Sequence, residues 1–187
     1  MATRAILAPV ETKKTPNLNL WMAGQDDEYP FTGYTHGRQI ARGLILDEEG
    51  NIAIHLVSRN DVFSNQTYYE TPGGGVDEGE NPEQALNREC EEEIGYSVEI
   101  LGKLAIVEDA YNLIGRRNIN HYFLAKRKAF EGKHFASEGD GFIQKTLWVS
   151  LDEAIHLYES MGDSLVAGLV KRRELPILYA VKNAKIL

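Results

Sequence analysis

From Gln39 onward apolar and polar residues alternate in short runs, first "QIARGLIL" and then "NIAIHLV", separated by the polar, glycine-ended "DEEG". A period of two, broken by such a turn, predicts a β-hairpin. A third short run, "TYYE", leads into a glycine turn, "TPGGGVDEGE". There the period lengthens to that of a helix. "NPEQALNRECEEEIG" predicts one, with Asn81 as N-cap, Pro82 at the first helical position and Gly95 as the stop. Beyond it "SVEILGKLAIVED", "NINHYFLAKRKAF" and "FIQKTLWVS" predict strands, with the polar loop "EGKHFASEGDG" before the last. "LDEAIHLYESM" predicts a short helix, and "SLVAGLVKRRELPILYAVKNA" a longer one interrupted or bent near Pro176. The expected class is α/β, a mixed β-sheet covered by helices on both faces.

Residues 1–35 lack this patterning and predict an N-terminal extension, an arm or an extra strand, ahead of a main domain spanning 36–187. The opening "MATRAILAPV" is too short an apolar run for a signal peptide, and no stretch approaches the length of a membrane span. Cys90 is the single cysteine, so no intrachain disulfide is possible. A cytoplasmic protein with no membrane partner is therefore expected. The formal charge of −8 argues against a grip on polymeric nucleic acid, which needs lysine and arginine to displace phosphate counterions. A small anionic ligand can still bind if a metal ion supplies positive charge.

The helix at 82–94 carries the candidate chemistry. At about 100° per residue, Leu86, Cys90 and Ile94 form an apolar stripe, while Glu89, Glu92 and Glu93 share an adjoining face and Glu91 points elsewhere. An isolated acidic cluster is usually a solvated helix face. Here the stripe docks the helix, so three carboxylates are held on a fixed mount, which suits a hard cation such as Mg²⁺. Gly73, Gly74 and Gly75 let backbone groups approach a ligand, and Arg88 can pair with Glu80 or Glu92 to hold a carboxylate in place. Arg42 and Arg59 are candidates for phosphate contacts or for pairing with nearby acids. Tyr111 is a candidate for base stacking or for core packing. His36, His55, His121, His134 and His156 show no metal-ligand spacing and read as surface or packing residues.

The run Gly74-x5-Glu80-x7-Arg88-Glu89-Cys90-Glu91-Glu92-Glu93-Ile94-Gly95-Tyr96 resembles the Nudix box, with every fixed glycine, glutamate and arginine present. Cys90 and Tyr96 stand where that family usually has aliphatic residues. The resemblance extends more weakly over residues 38–160. It implies an α/β/α sandwich and metal-dependent hydrolysis of a pyrophosphate bond in a small nucleotide substrate. That substrate would be of ADP-ribose or ADP-sugar, dinucleoside polyphosphate or nucleoside triphosphate type.

Mg²⁺, with Mn²⁺ as a substitute, would sit on Glu89, Glu92, Glu93 and the Gly73 carbonyl, supported by Gly74, Glu80 and Arg88. The general base would be Glu89, with Glu138 and Asp140 of "SEGDG" as rivals. Many relatives pair, so a homodimer is expected. The alternatives are a non-catalytic nucleotide sensor on the same scaffold and a diphosphate isomerase, which would need a cysteine in the pocket.

Overall fold

The computed structural model describes residues 17–24, 26–132 and 139–187. Its strands are β1 (Leu20–Ala23), β2 (His36–Leu46), β3 (Ile52–Asp61), β4 (Ser64–Glu70), β5 (Gly73–Gly75), β6 (Tyr96–Tyr111), β7 (Arg116–Phe130) and β8 (Ile143–Val149). Its helices are α1 (Pro82–Ile94), α2 (Leu151–Glu159) and α3 (Leu165–Asn183). The strands form one sheet in the order β1-β6-β7-β2-β3-β4, with β5 joined to β2 and β8 to β3. β1 runs parallel to β6 and β2 parallel to β7, and the other pairs are antiparallel.

The hairpin expected from "QIARGLIL" and "NIAIHLV" exists only at its root. β2 and β3 share the single register pair Leu46↔Ile52, after which they part. β2 is taken up by β7 on one side and by β5 on the other, whereas β3 pairs with β4 and β8. The glycine segment, expected to be a turn, is thus a strand wedged into the divergence: Ile40↔Gly75, Ala41↔Gly74 and Arg42↔Gly73. The gap opened by this divergence is where the functional residues collect.

The two faces of the sheet carry different layers. Alternation along β2 sends Ala41 and Ile45 toward α1, where they meet Leu86, Cys90 and Ile94, and sends Leu44 and Leu46 toward the core under α2 and α3. Leu86 and Cys90 are fully buried, and burying a leucine is worth roughly 1.5–3 kcal/mol. Helix α1 is capped at both ends. Asn81 and Gln84 exchange capping-box hydrogen bonds, and Gly95 closes the C-terminus in the left-handed conformation, donating to the Cys90 and Glu91 carbonyls.

Helix α3 runs unbroken through Pro176, contrary to the interruption considered from sequence. A proline within a helix removes one hydrogen bond, at a cost of about 3 kcal/mol. The burial of Arg173, Glu174, Ile177, Leu178 and Val181 on either side holds the helix together. No helix among the described residues is long and apolar enough to cross a membrane.

Candidate active site

Arg88 is the hub of the site. Its Nε and Nη2 donate to the two Glu80 oxygens at 2.8 and 3.0 Å, Nη1 to Glu89 at 3.0 Å and to Glu92 at 3.4 Å, and Nη2 also to the Gly75 carbonyl at 2.8 Å. One guanidinium therefore ties the loop before α1, two carboxylates of α1 and the glycine strand into a single unit. The pairing with Glu80 and the negative charge of Glu89 hold Arg88 above the ordinary arginine range, so it is a permanent cation.

Glu93 is anchored from the other side. It accepts the Gly73 N–H at 2.8 Å and lies 3.2 Å from His55 Nε2, whose Nδ1 is 3.1 Å from the Thr146 hydroxyl. His55 is buried among the site residues, a packing position as expected but also a contact to a site carboxylate that sequence spacing did not reveal. The available signal was its place on β3, where alternation with Ala53 turns it toward α1.

Glu89 and Glu93 are buried, with 8% and 7% of their surface exposed. Burial and the charge of Glu93 push the Glu89 carboxyl up to about 7, with Arg88 pulling the other way. Glu91, on another side of the helix, instead accepts from Asn87 Nδ2 at 2.6 Å. A Cβ on Gly74 would come within 2.5 Å of Glu89 Oε1, so the glycine makes room for the carboxylate against the backbone. Gly73, at φ +132°, adopts a conformation closed to other residues.

No group of three His, Cys, Asp or Glu side chains among the described residues is already gathered as a metal shell. Arg88 and the Gly73 N–H hold the carboxylate oxygens instead. The donor set nevertheless fits a hard divalent cation. Three carboxylates of α1 line one cleft, and burial with the charge of Glu93 raises Glu89 even with Arg88 beside it, so a further cation there would be stabilising.

That cleft, of about 490 Å³, is lined by Glu89, Glu92 and Glu93 and by five arginines, Arg88 among them. Arg42 is buried, ion-paired with Glu70 at 2.7 Å and donating to the Thr71 carbonyl at 2.9 Å. Arg59 donates from Nε to Asp61 at 2.8 Å and lies over the Phe63 and Phe142 rings. Both line the cleft, and both are already paired with acids. Tyr111 forms part of its floor, edge-on to Phe63 with its hydroxyl 3.4 Å from Arg173 Nη1. Glu138 lies outside the described residues, and Asp140 falls in the short 3-10 turn Gly139–Phe142, whose last residue lines the cleft. Cys90 is fully buried between α1 and the sheet and does not line the cleft.

Residues 37–171 match the family model of the NUDIX domain. The chain belongs to the Nudix family. Among curated Nudix relatives, an 8-oxo-dGTP diphosphatase of Haemophilus influenzae is 36% identical over 111 residues, covering 59% of this chain and 74% of that protein. An ADP-ribose pyrophosphatase of Bacillus subtilis is 30% identical over 117 residues, covering 63% of this chain and 60% of that protein. The Nudix fold is matched by the NUDIX hydrolase from Nitrosomonas europaea, with a TM-score of 0.58 at 16% identity over 81% of this chain and 90% of that one. As a Nudix hydrolase the protein is a pyrophosphohydrolase.

Sequence reading missed Arg173 and Glu174 on α3. Arg173 reaches Asp109 at 2.9 Å, Glu70 at 2.7 Å and the Tyr122 hydroxyl at 2.8 Å. Glu174 accepts from the Tyr122 and Tyr158 hydroxyls and the Thr71 N–H. These bonds fasten α3 to Glu70 and Thr71, just before the glycine strand. No periodicity in "VKRRELP" distinguishes the two inward charges from the outward ones.

Proposed function

We propose that this protein hydrolyses a pyrophosphate bridge in a small nucleotide substrate with the help of Mg²⁺, or of Mn²⁺ in its place. The single observation that carries this reading is the convergence of Glu80, Glu89, Glu92 and Gly75 on Arg88, beside a Glu93 latched to Gly73. Glu89, Glu92, Glu93 and the Gly73 carbonyl are the proposed metal ligands. A bound divalent cation would neutralise phosphate charge and lower the pKa of attacking water.

Within the chain, Arg88 and Glu80 keep Glu89 and Glu92 oriented, and the Gly73 N–H and His55 do the same for Glu93. Glu89 is the proposed general base, a buried carboxylate of the cleft held in place by Arg88 at 3.0 Å. Glu138 is its rival from the sequence. Arg42, Arg59 and Tyr111 are proposed to contact substrate along the cleft floor. The named activities of the Haemophilus and Bacillus relatives make 8-oxo-dGTP and ADP-ribose the first substrates to try. The test is a nucleotide panel with Mg²⁺ and with Mn²⁺, the products identified by chromatography. Absence of hydrolysis across the panel with both metals refutes the reading.

A further inference from the structure

Five arginines line the cleft, in a chain whose formal charge is −8. Three are spoken for: Arg88 by Glu80, Glu89 and Glu92, Arg42 by Glu70, and Arg59 by Asp61. Arg38 and Arg116 differ. Among the described residues neither guanidinium has a carboxylate partner or a hydrogen bond, and Arg116 Nε is buried with nothing to donate to. Arg116 lies over the Tyr111 ring, its guanidinium carbon 4.9 Å from the centroid, so the stacking fixes its plane while its donors stay free.

The two residues are close neighbours in the fold. β2 and β7 run in parallel register with Arg38 opposite Asn118, two residues beyond Arg116, and the charge of Arg38 acts on Arg116. Burial, and after it the charge of Arg38, hold Arg116 below the ordinary arginine range although Tyr111 and Asp109 pull the other way, and it stays cationic. An anion between them would relieve both penalties.

Their position relative to the carboxylates is also defined. A Cβ on Gly75 would overlap the Arg38 guanidinium, whereas a Cβ on Gly74 would overlap Glu89. Arg38 and the acidic cluster therefore flank consecutive residues of one strand.

Resting on the hydrolase reading above, we infer that Arg38 and Arg116 form a subsite for a phosphate group additional to the two of the scissile bridge. Two unpaired guanidiniums match the charge and oxygen-rich surface of a dianionic phosphate. Such a group can be a third phosphate of the chain or a phosphate carried on a ribose. A plain diphosphate-linked sugar has neither.

The test compares kcat/KM with Mg²⁺ on dGTP, on ADP-ribose and on ADP-ribose 2′-phosphate, for the wild type and for Arg38→Ala, Arg116→Ala and Arg116→Lys. The wild type is expected to favour a substrate with the extra phosphate. Each alanine variant should lose about ten- to hundred-fold on it, mainly through KM, the usual effect of one charge-assisted contact. The loss on ADP-ribose should be at least ten-fold smaller, and Arg116→Lys should recover part of the loss. Preference for dGTP alone assigns the phosphate to the chain, and preference for the 2′-phosphate alone assigns it to the ribose. Equal losses on all three substrates, or none on any, overturn the subsite. If no substrate turns over, the hydrolase reading fails separately, and calorimetric titration with Mg²⁺ and inorganic tripolyphosphate decides. Ten-fold weaker binding in the Arg38→Ala/Arg116→Ala double variant supports the subsite, and unchanged binding overturns it.

Discussion

Glu93 accepts the backbone N–H of Gly73 at 2.8 Å, so the last turn of α1 is latched directly to the glycine strand. Glu93 and, through the space left at Gly74, Glu89 are thereby held against that strand.

His55 touches the same Glu93 oxygen as the Gly73 N–H, which makes it a positioning residue. With Glu93 a metal ligand as proposed, His55→Ala is expected to weaken Mg²⁺ binding by about 10–100-fold, the range seen when a partner of a metal ligand is removed. Calorimetric titration reads this directly. His55→Gln, which keeps a donor near Glu93, should recover part of the affinity, and unaltered metal binding in His55→Ala refutes the role.

Gly74 leaves the space that the Glu89 carboxylate occupies. Gly74→Ala should displace Glu89 and lower kcat/KM by on the order of 100-fold, a misplacement effect of the size known for active sites. Gly74 has no left-handed backbone to lose, so thermal unfolding should move only a few degrees. A variant as active as the wild type would show that Glu89 need not stand there.

Arg173 is buried against Asp109, Glu70 and Glu174, and removing it leaves those acids short of a counter-charge. Arg173→Met should cost about 3–5 kcal/mol in denaturant unfolding. Arg173→Met paired with Asp109→Asn should recover part of that. A loss below about 1 kcal/mol in the single variant contradicts the assignment.

Glu174 gives this network its pH dependence. Burial alone would raise its pKa, but Arg173 and Arg42 outweigh burial and hold it below the ordinary glutamate value. A carboxyl whose folded pKa is depressed contributes stability that is complete above the unfolded value, about 4.3, and is lost as pH falls through the folded one. Wild-type unfolding free energy should therefore decline through acid pH. Glu174→Gln should be less stable at neutral pH and flatter in that acid range. Parallel profiles for the two proteins would remove Glu174 as the source.

Cys90 is fully buried in the seam between α1 and the sheet, where its thiol is held well above the usual range by burial and by the neighbouring glutamates. Cys90→Ala should lose about 1 kcal/mol, roughly one buried methylene-sized group, and keep its turnover. Loss of turnover in a folded Cys90→Ala protein would reopen cysteine chemistry.

Much of the site was legible because it is local. Asn81, Pro82 and Gly95 bound α1, and the three-and-four spacing fixes which glutamates share a face, both through backbone geometry that a helix repeats anywhere. The fold class followed from periodicity for the same reason. Pairing is not local: nothing in "TPGGG" announces that it will insert beside β2, because a strand's partner is chosen by hydrogen bonds across the sheet.

The sequence by itself determined the α1 carboxylate array, its apolar mount and the glycines opposite, since each is written in a few consecutive residues. Only the tertiary structure decided which charges neutralise which. Arg88 meets Glu80 across eight positions, Arg173 meets Glu70 across 103, and Arg38 and Arg116 form no ion pair among the described residues. Charges interact through space at a few ångströms, and chain separation places no limit on that distance.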